Sequence, residues 1–452
     1  MKKFVFGSFV LFCMGLTAAM LWGAEENLHE KPARQAPEWL TKGIIYQINP
    51  RAFTPEGTLK AIEAKLPHIQ ATGATIVYLC PVFMADDDMD RKYWSTRQKS
   101  SKMENPRNPY RIKDYYNVDP EYGTNEDLKS LIQKAHERGL RVMLDMVYFH
   151  CGPTAIFLEE HPDFVLRDKE GNFETGVWAF PKLNFQSQAL REYLYQNMEM
   201  WVRDYDVDGF RCDVADLVPL DFWEEGRRRL EKIRPDVAMI CEGIRPKDQL
   251  YAFDMSYGFQ FYWALQDVYD KGKPALSVRQ KVEEVEKKWP QGARFMHYVD
   301  NHDIANGDWP KRRGVRWGEK GMNAALVLCY TMDGTPMLYC GLEMADKCRH
   351  SIFGKTVYID WNQQNTDEAR RRMAFCQELA KTRLSRPELT EGKLVWLDNS
   401  TPDEVLSFAR VLGDTKVLVV INFRDQPIET NVKLADGTEK TFSLAEFGYV
   451  IE

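Results

Sequence analysis

The 452-residue chain has no excess of positive charge: 60 Lys and Arg stand against 67 Asp and Glu, a formal charge of −7 that becomes −9 if Lys2 and Lys3 are removed with the N-terminal segment. A mildly acidic chain without segregated charge gives no electrostatic footprint for nucleic acid, so none is expected as a partner. Its nine cysteines lack metal-ligand spacing. Cys13 lies in the N-terminal apolar segment, while Cys80, Cys151, Cys212, Cys241, Cys329, Cys340, Cys348 and Cys376 sit mostly in apolar runs and read as buried free thiols. Cys340 and Cys348 are close enough in sequence to pair in an oxidising compartment. Internal repeats and low-complexity tracts are missing, and after residue 24 no apolar run is long enough to span a bilayer.

What is present is the composition of a soluble globular protein, 44% hydrophobic and 28% charged, long enough for one large domain and a small one. Lys2 and Lys3 precede an uncharged stretch, Phe4 to Ala24, with small residues at Thr17, Ala18 and Ala19. Residues 1–24 are therefore expected to be a signal peptide cut between Ala19 and Ala24, giving a secreted or periplasmic protein without a remaining membrane span; an uncleaved anchor is the alternative. Residues 25–38, polar and Pro-containing, read as a linker.

Beyond the linker, short β-rich runs alternate with helix-length amphipathic stretches. The runs are Ile44 to Ile48, Thr75 to Val82, Arg141 to Val147, Val207 to Asp213, Val237 to Glu242, Tyr251 to Ser256, Phe295 to Val299 and Thr335 to Tyr339. Between them lie stretches such as Glu126 to Arg138, Gln188 to Asp204, Asp221 to Ile233 and Lys320 to Met332. Eight βα units predict an α/β fold, a (β/α)8 TIM barrel over residues 39–386. Two interruptions stand out. Met84 to Asn108 reads as a long polar loop whose Asp86, Asp87, Asp88 and Asp90 are solvated and lack the glycine-turned spacing of a cation loop. The segment after the third strand, residues 150–185, is too long for a βα loop and reads as a short inserted domain. Past Arg386 the pattern becomes short β-type runs separated by Asp-Asn-Ser, Gly-Asp and Asp-Gly turns, which predicts a C-terminal all-β sandwich domain over residues 387–452.

The chemistry sits at strand ends. Alternation along Gly209-Phe210-Arg211-Cys212-Asp213 puts Arg211 and Asp213 on one face, and a carboxylate and guanidinium there are costly to bury unless paired. Leu144 to His150 ends the third strand, Met239 to Glu242 the fifth, and Tyr298 to Asp303 the seventh. All these ends share one mouth of a parallel barrel, so Asp213, Glu242 and Asp303 converge with Arg211 and two histidines. A lone strand-end acid is usually a helix cap. Three together, without a metal-ligand triad, suit glycoside hydrolysis, in which one carboxylate attacks and a second, protonated carboxyl group assists departure. Arg211 is expected to keep Asp213 ionised.

On these residues the chain resembles the α-amylase family, glycoside hydrolase family 13. Ile45 to Phe53 (I-Y-Q-I-N-P-R-A-F) is similar to the family's first strand, Tyr110 to Gly123 to the approach to its second helix, the four strand ends to its four signature regions, and Lys182-Leu183-Asn184-Phe185 to a motif near the end of its inserted domain. The resemblance implies Asp213 as nucleophile, Glu242 as general acid/base and Asp303 as the third acid that orients the sugar. It implies substrate contacts from Tyr110, His150, Arg211 and His302, and a structural role for Asp145. The implied function is a retaining α-glycoside hydrolase acting on α-glucans or maltooligosaccharides. A transglycosylase or isomerase on the same scaffold, and a non-catalytic glycan-binding homologue, are the alternatives.

The departures from the pattern also carry expectations. Where the family usually has a calcium-binding Asn, this chain has Phe149, and Thr54 to Leu59 lacks an Asp-rich Gly turn, so no metal and no cofactor are expected. Val214, after the nucleophile, is similar to members acting on branched or pullulan-type glucans. The short insertion and the lack of an extra carbohydrate-binding module favour soluble maltooligosaccharides or cyclodextrins. Trp178, Trp94 and Tyr93 are candidate stacking platforms.

Overall fold

The computed structural model describes residues 27–305 and 312–452. The expected signal peptide lies outside them. The strands β1 (Ile45–Ile48), β2 (Ile76–Leu79), β3 (Arg141–Met146), β4 (Gly209–Cys212), β5 (Ala238–Cys241), β6 (Met255–Tyr257), β7 (Phe295–Tyr298) and β8 (Thr335–Tyr339) are parallel and close into a barrel in chain order. All eight coincide with expected runs, seven within a few residues at each end. The sixth differs: Asp248–Tyr251 is a short helix, its Asp248 carboxylate accepting from Arg245 Nε at 2.7 Å, and the strand starts only at Met255.

Alternation sorts the strand residues into two cores. Ile45, Ile76, Tyr78, Met143, Ala238, Ile240, Met255, Met296, Tyr298 and Met337 fill the barrel interior. Their neighbours in sequence, among them Tyr46, Val77, Leu144, Phe210, Cys212, Met239 and Cys241, pack outward against the helices. The strands are buried on both faces, which is why they are short apolar runs. Gly209 is required where β4 meets β5, because a Cβ there would stand 2.4 Å from the Ala238 carbonyl oxygen.

Helices Asn125–His136, Gln188–Tyr205 and Leu220–Ile233 match the amphipathic stretches. The helix expected from Lys320 begins earlier, at Arg313, and is kinked at Gly318, whose φ of 71° is left-handed. The polar stretch read as a linker is, from residue 27 onward, fastened to the barrel: Ala33 N donates to Gln291 O, Arg34 N to Gln249 O, and Arg34 pairs with buried Asp254 at 2.8 Å. The stretch after β2 is likewise structured. Phe83–Ala85 pairs with Ile112–Val118, and Thr96–Ser101 forms a helix capped by Ser95 Oγ. The 150–185 insertion is an irregular excursion with the 3-10 turns Ile156–Glu159 and Pro162–Phe164, held by bridges such as Val165 to Leu183 and His150 to Lys182.

After the barrel come β9 (Lys393–Trp396), β10 (Val405–Leu412), β11 (Thr415–Asn422), β12 (Ile428–Lys433), β13 (Glu439–Leu444) and β14 (Tyr449–Ile451). A turn at 445–448 separates β13 from β14. An antiparallel sheet β9-β10-β11-β14 and the pair β12-β13 enclose a core of Val405, Ala409, Leu418, Val420, Val432, Phe442 and Leu444. The opposite face of the larger sheet, with Leu406, Phe408, Val417, Val419 and Ile421, joins the main core. Of the eight described cysteines all are free; seven are buried and Cys348 is half-buried.

Candidate active site

The register β3–β4–β5 places Asp145 beside Arg211 and Arg211 beside Ile240, all directed inward. Two residues beyond Arg211 and Ile240 the same alternation delivers Asp213 and Glu242 to the mouth. There one guanidinium serves three carboxyl groups: Arg211 Nη1 donates to Asp145 Oδ1 at 2.5 Å and to Asp213 Oδ1 at 2.9 Å, and its Nη2 lies 2.7 Å from Glu242 Oε2 in an ion pair too bent to be a hydrogen bond. The Tyr257 ring, 5.4 Å from the guanidinium carbon, supports it from a second direction. Arg211 is fully buried and does not line the pocket. It lies beneath the acids that it holds, whereas Tyr110, His150 and His302, named with it from sequence, line the pocket.

Asp145 is saturated. Its Oδ2 accepts from Tyr78 at 2.7 Å and from Tyr110 at 3.1 Å. The Asp213 carboxylate, by contrast, has Arg211 as its one hydrogen-bond partner among the described residues and faces the pocket. Burial raises its pKa well above the ordinary carboxyl range, the Arg211 guanidinium opposes the shift, and the charges of Glu242 and Asp145 add to it. The expected support of Arg211 for an ionised Asp213 is thus opposed by burial and by two further carboxyl groups around the same cation. Glu242 Oε2 accepts from Val214 N at 2.9 Å. Val214 is a β-branched residue in the left-handed region, φ 37° and ψ 44°, a costly conformation that aims this N–H at the second acid.

Asp303 arrives by a turn rather than by alternation, since Asn301 Oδ1 accepts from both Asp303 N and Ile304 N. Burial alone would raise its pKa, but His302, Arg97 and Arg211 outweigh that and hold it well below the ordinary range. Gln47 clasps His302, donating to Nδ1 at 2.9 Å and accepting from the backbone N. That leaves the proton on Nε2, 2.6 Å from the Tyr110 hydroxyl. His150 is pushed down to about 4, chiefly by burial, so it is neutral near pH 7. Its Nε2 is satisfied by the Tyr110 carbonyl at 2.9 Å, while Nδ1 has no partner among the described residues.

These side chains surround a pocket lined by Tyr110, His150, Asp213, Glu242, His302 and Asp303 together with Val214, Trp178, Phe180, Ser95, Arg97, Asn108, Ile352 and Phe353. Of the candidate stacking residues only Trp178 lies there. Trp94 is buried, its Nε1 donating to Asp88 O, and Tyr93 packs edge-on against Phe173. Arg97 and Gln47 were not singled out from sequence: nothing periodic marks Arg97 within its polar loop, whereas Gln47, a polar residue inside an apolar strand, carried a signal. Phe149 packs edge-on against Trp178 and His150. Asp86 is occupied by Thr154 N and Oγ1, each at 2.8 Å, and by Arg111, and Asp87 by Lys113 at 2.7 Å.

The alpha amylase catalytic-domain model matches residues 34–172 and 169–383. Alpha-amylase MalA of Haloarcula japonica is 29% identical over 430 residues, covering 90% of this chain and 58% of that protein; the chain thus spans little more than half the length of this relative. An intracellular maltogenic amylase of Bacillus subtilis is 25% identical over 473 residues, covering 90% of this chain and 74% of its own. The crystal structure of AmyB, a maltogenic alpha-amylase of Thermotoga neapolitana, superposes with a TM-score of 0.78 at 24% identity, covering 91% of this chain and 97% of that one, a likeness of fold.

The raised pKa of Asp213 gives a stability prediction. A carboxyl group whose folded pKa exceeds its unfolded value of roughly 3.9 binds more protons when folded, so the native state loses stability as pH rises through and above that value. Asp213→Asn removes this cost while leaving Arg211 paired with Asp145 and Glu242. Its melting temperature should exceed that of the wild type by a few degrees at pH 7 and converge with it toward pH 4, read by calorimetry across pH.

Proposed function

The chain belongs to the alpha-amylase catalytic-domain family, and from the cluster at its barrel mouth we propose that it hydrolyses α-glucosidic bonds of maltooligosaccharides with retention of configuration. The observation that carries this reading is the sharing of one buried guanidinium by Asp213 and Glu242. Two carboxyl groups set side by side by one guanidinium meet the need of double displacement: Asp213 attacks the anomeric carbon as an anion while Glu242 gives a proton to the leaving oxygen. Glu242, again an anion, then takes a proton from the water that releases the sugar from Asp213. Asp303 and His302 hold hydroxyls of the same ring, His150 accepts a hydroxyl at its free Nδ1, and Tyr110 packs beside it. Asp145 and Arg211 position the acids from below.

The test separates the two acids. Glu242→Gln should lose several orders of magnitude on maltoheptaose yet retain a burst with α-glucosyl fluoride, whose leaving group needs no acid, and azide should accelerate its second step. Asp213→Asn should be inactive on both donors, with or without azide. If both variants respond alike, the division of labour is wrong.

We also propose that no metal is required, because Phe149 supplies no side-chain oxygen and the acidic residues at 86 and 87 are already held by protein donors. Activity and melting temperature should be unchanged by EDTA; a calcium-reversible fall in either contradicts this. Export rests on residues 1–24 alone, and N-terminal sequencing of the protein from culture medium or periplasm should begin between residues 20 and 25.

A further inference from the structure

The wall of the pocket opposite Glu242 is built as a unit. In the closed order of the barrel, β5 stands across from β1, whose neighbours are β2 and β8. The loops after these two strands supply Ser95, Arg97, Asn108, Ile352 and Phe353 to the pocket. They are knitted together: Asn105 Nδ2 donates to Phe353 O at 2.9 Å, Gln98 Nε2 to Asn105 O at 2.8 Å and Pro106 O at 3.0 Å, and buried Arg51 donates to both Arg107 O and Ile352 O. From this wall Arg97 reaches the β7 loop and grips Asp303 twice, Nη1 to Oδ1 at 2.7 Å and Nη2 to the backbone oxygen at 2.8 Å. Two parallel bonds from a planar fork fix the guanidinium far better than one would.

Resting on the reading of the site as an α-glucan hydrolase, we propose that Arg97 and the joined loops close the pocket beyond a single sugar ring, so that the enzyme removes the non-reducing terminal glucose from open maltooligosaccharides. The glycosidic oxygen to be cleaved must lie at Glu242, the proton donor. The ring that Asp213 attacks then extends away from Glu242 toward Tyr110, His302 and Asp303. The next unit on the non-reducing side would have to pass the place where Arg97 joins Asp303, and a cyclic glucan always has such a unit. Among the described residues, the leaving-group side, by Val214 and Glu242, faces no such clasp. Arg97 is a specificity-determining residue in this account, and the same contact contributes to holding Asp303 as an anion.

The test uses the full chain with three probes: p-nitrophenyl maltoheptaoside, the same compound with its non-reducing terminal 4- and 6-hydroxyls blocked by an ethylidene group, and β-cyclodextrin. The wild type should shorten the open substrate by one glucose at a time, with p-nitrophenyl maltohexaoside as the first product, and should leave the blocked and cyclic substrates essentially intact. Arg97→Ala should raise cleavage of the blocked substrate relative to the open one by roughly tenfold or more, whereas Arg97→Lys, which keeps a charge but not the fork, should fall between. The ratio of blocked to open cleavage is independent of how much folded enzyme is present, so a general loss of stability does not move it. Wild-type cleavage of the blocked or cyclic substrate at rates comparable to the open one overturns the proposal and leaves the hydrolase reading intact. Failure to cleave all three overturns that reading as well.

Discussion

Arg211 is the point on which the site depends. Its guanidinium is fully buried, and leaving it or its partners unpaired there would cost several kcal/mol. The chain offsets that cost with three carboxyl groups and an aromatic ring, and the geometry of the fork then fixes where those carboxyl groups sit. Asp145 is fully engaged by two tyrosines and by Arg211 itself. Asp213 and Glu242 keep oxygen atoms for the pocket.

A second constraint runs through hydrogen bonds rather than ion pairs. Gln47 fixes His302, His302 meets the Tyr110 hydroxyl, and that hydroxyl reaches Asp145 beside Arg211. The chain of contacts links β1 to β4 across the floor of the pocket, so the groups around the pocket are set by the barrel interior and not by loop conformation alone. The strained backbone at Val214 belongs to the same economy, since its N–H would not otherwise meet Glu242.

Much of this was legible in the sequence because strand alternation is a strict rule. The apolar runs located eight strands, and counting in twos from Arg211 to Asp213 correctly put both on the inner face, with Phe210 and Cys212 outside. What the sequence hid was of two kinds. Arg97 sits on the short helix Thr96–Ser101 inside a polar stretch and Ile352 and Phe353 on a loop, none with a period that says which way a side chain points, and their meeting depends on bonds between segments some 250 residues apart, such as Asn105 with Phe353. Trp94 and the polar stretch before the barrel misled for the opposite reason: composition alone reads an aromatic in a polar loop as exposed and a charged segment as free, yet Trp94 is buried and Arg34 is anchored to Asp254. Charge balance in the acid cluster was also beyond sequence, because only the structure counts three carboxyl groups on one guanidinium.

The central claim is that Asp213, loosely held and facing the pocket, is the group that bonds to the sugar. Incubation with a 5-fluoro-α-glucosyl fluoride, whose intermediate hydrolyses slowly, followed by proteolysis and mass spectrometry, tests it most directly. The account predicts one glucosyl adduct per chain, on the peptide containing Asp213 and lost in Asp213→Asn. An adduct on Glu242 or Asp303, or turnover without any adduct and with the β-anomer as first product, would contradict it.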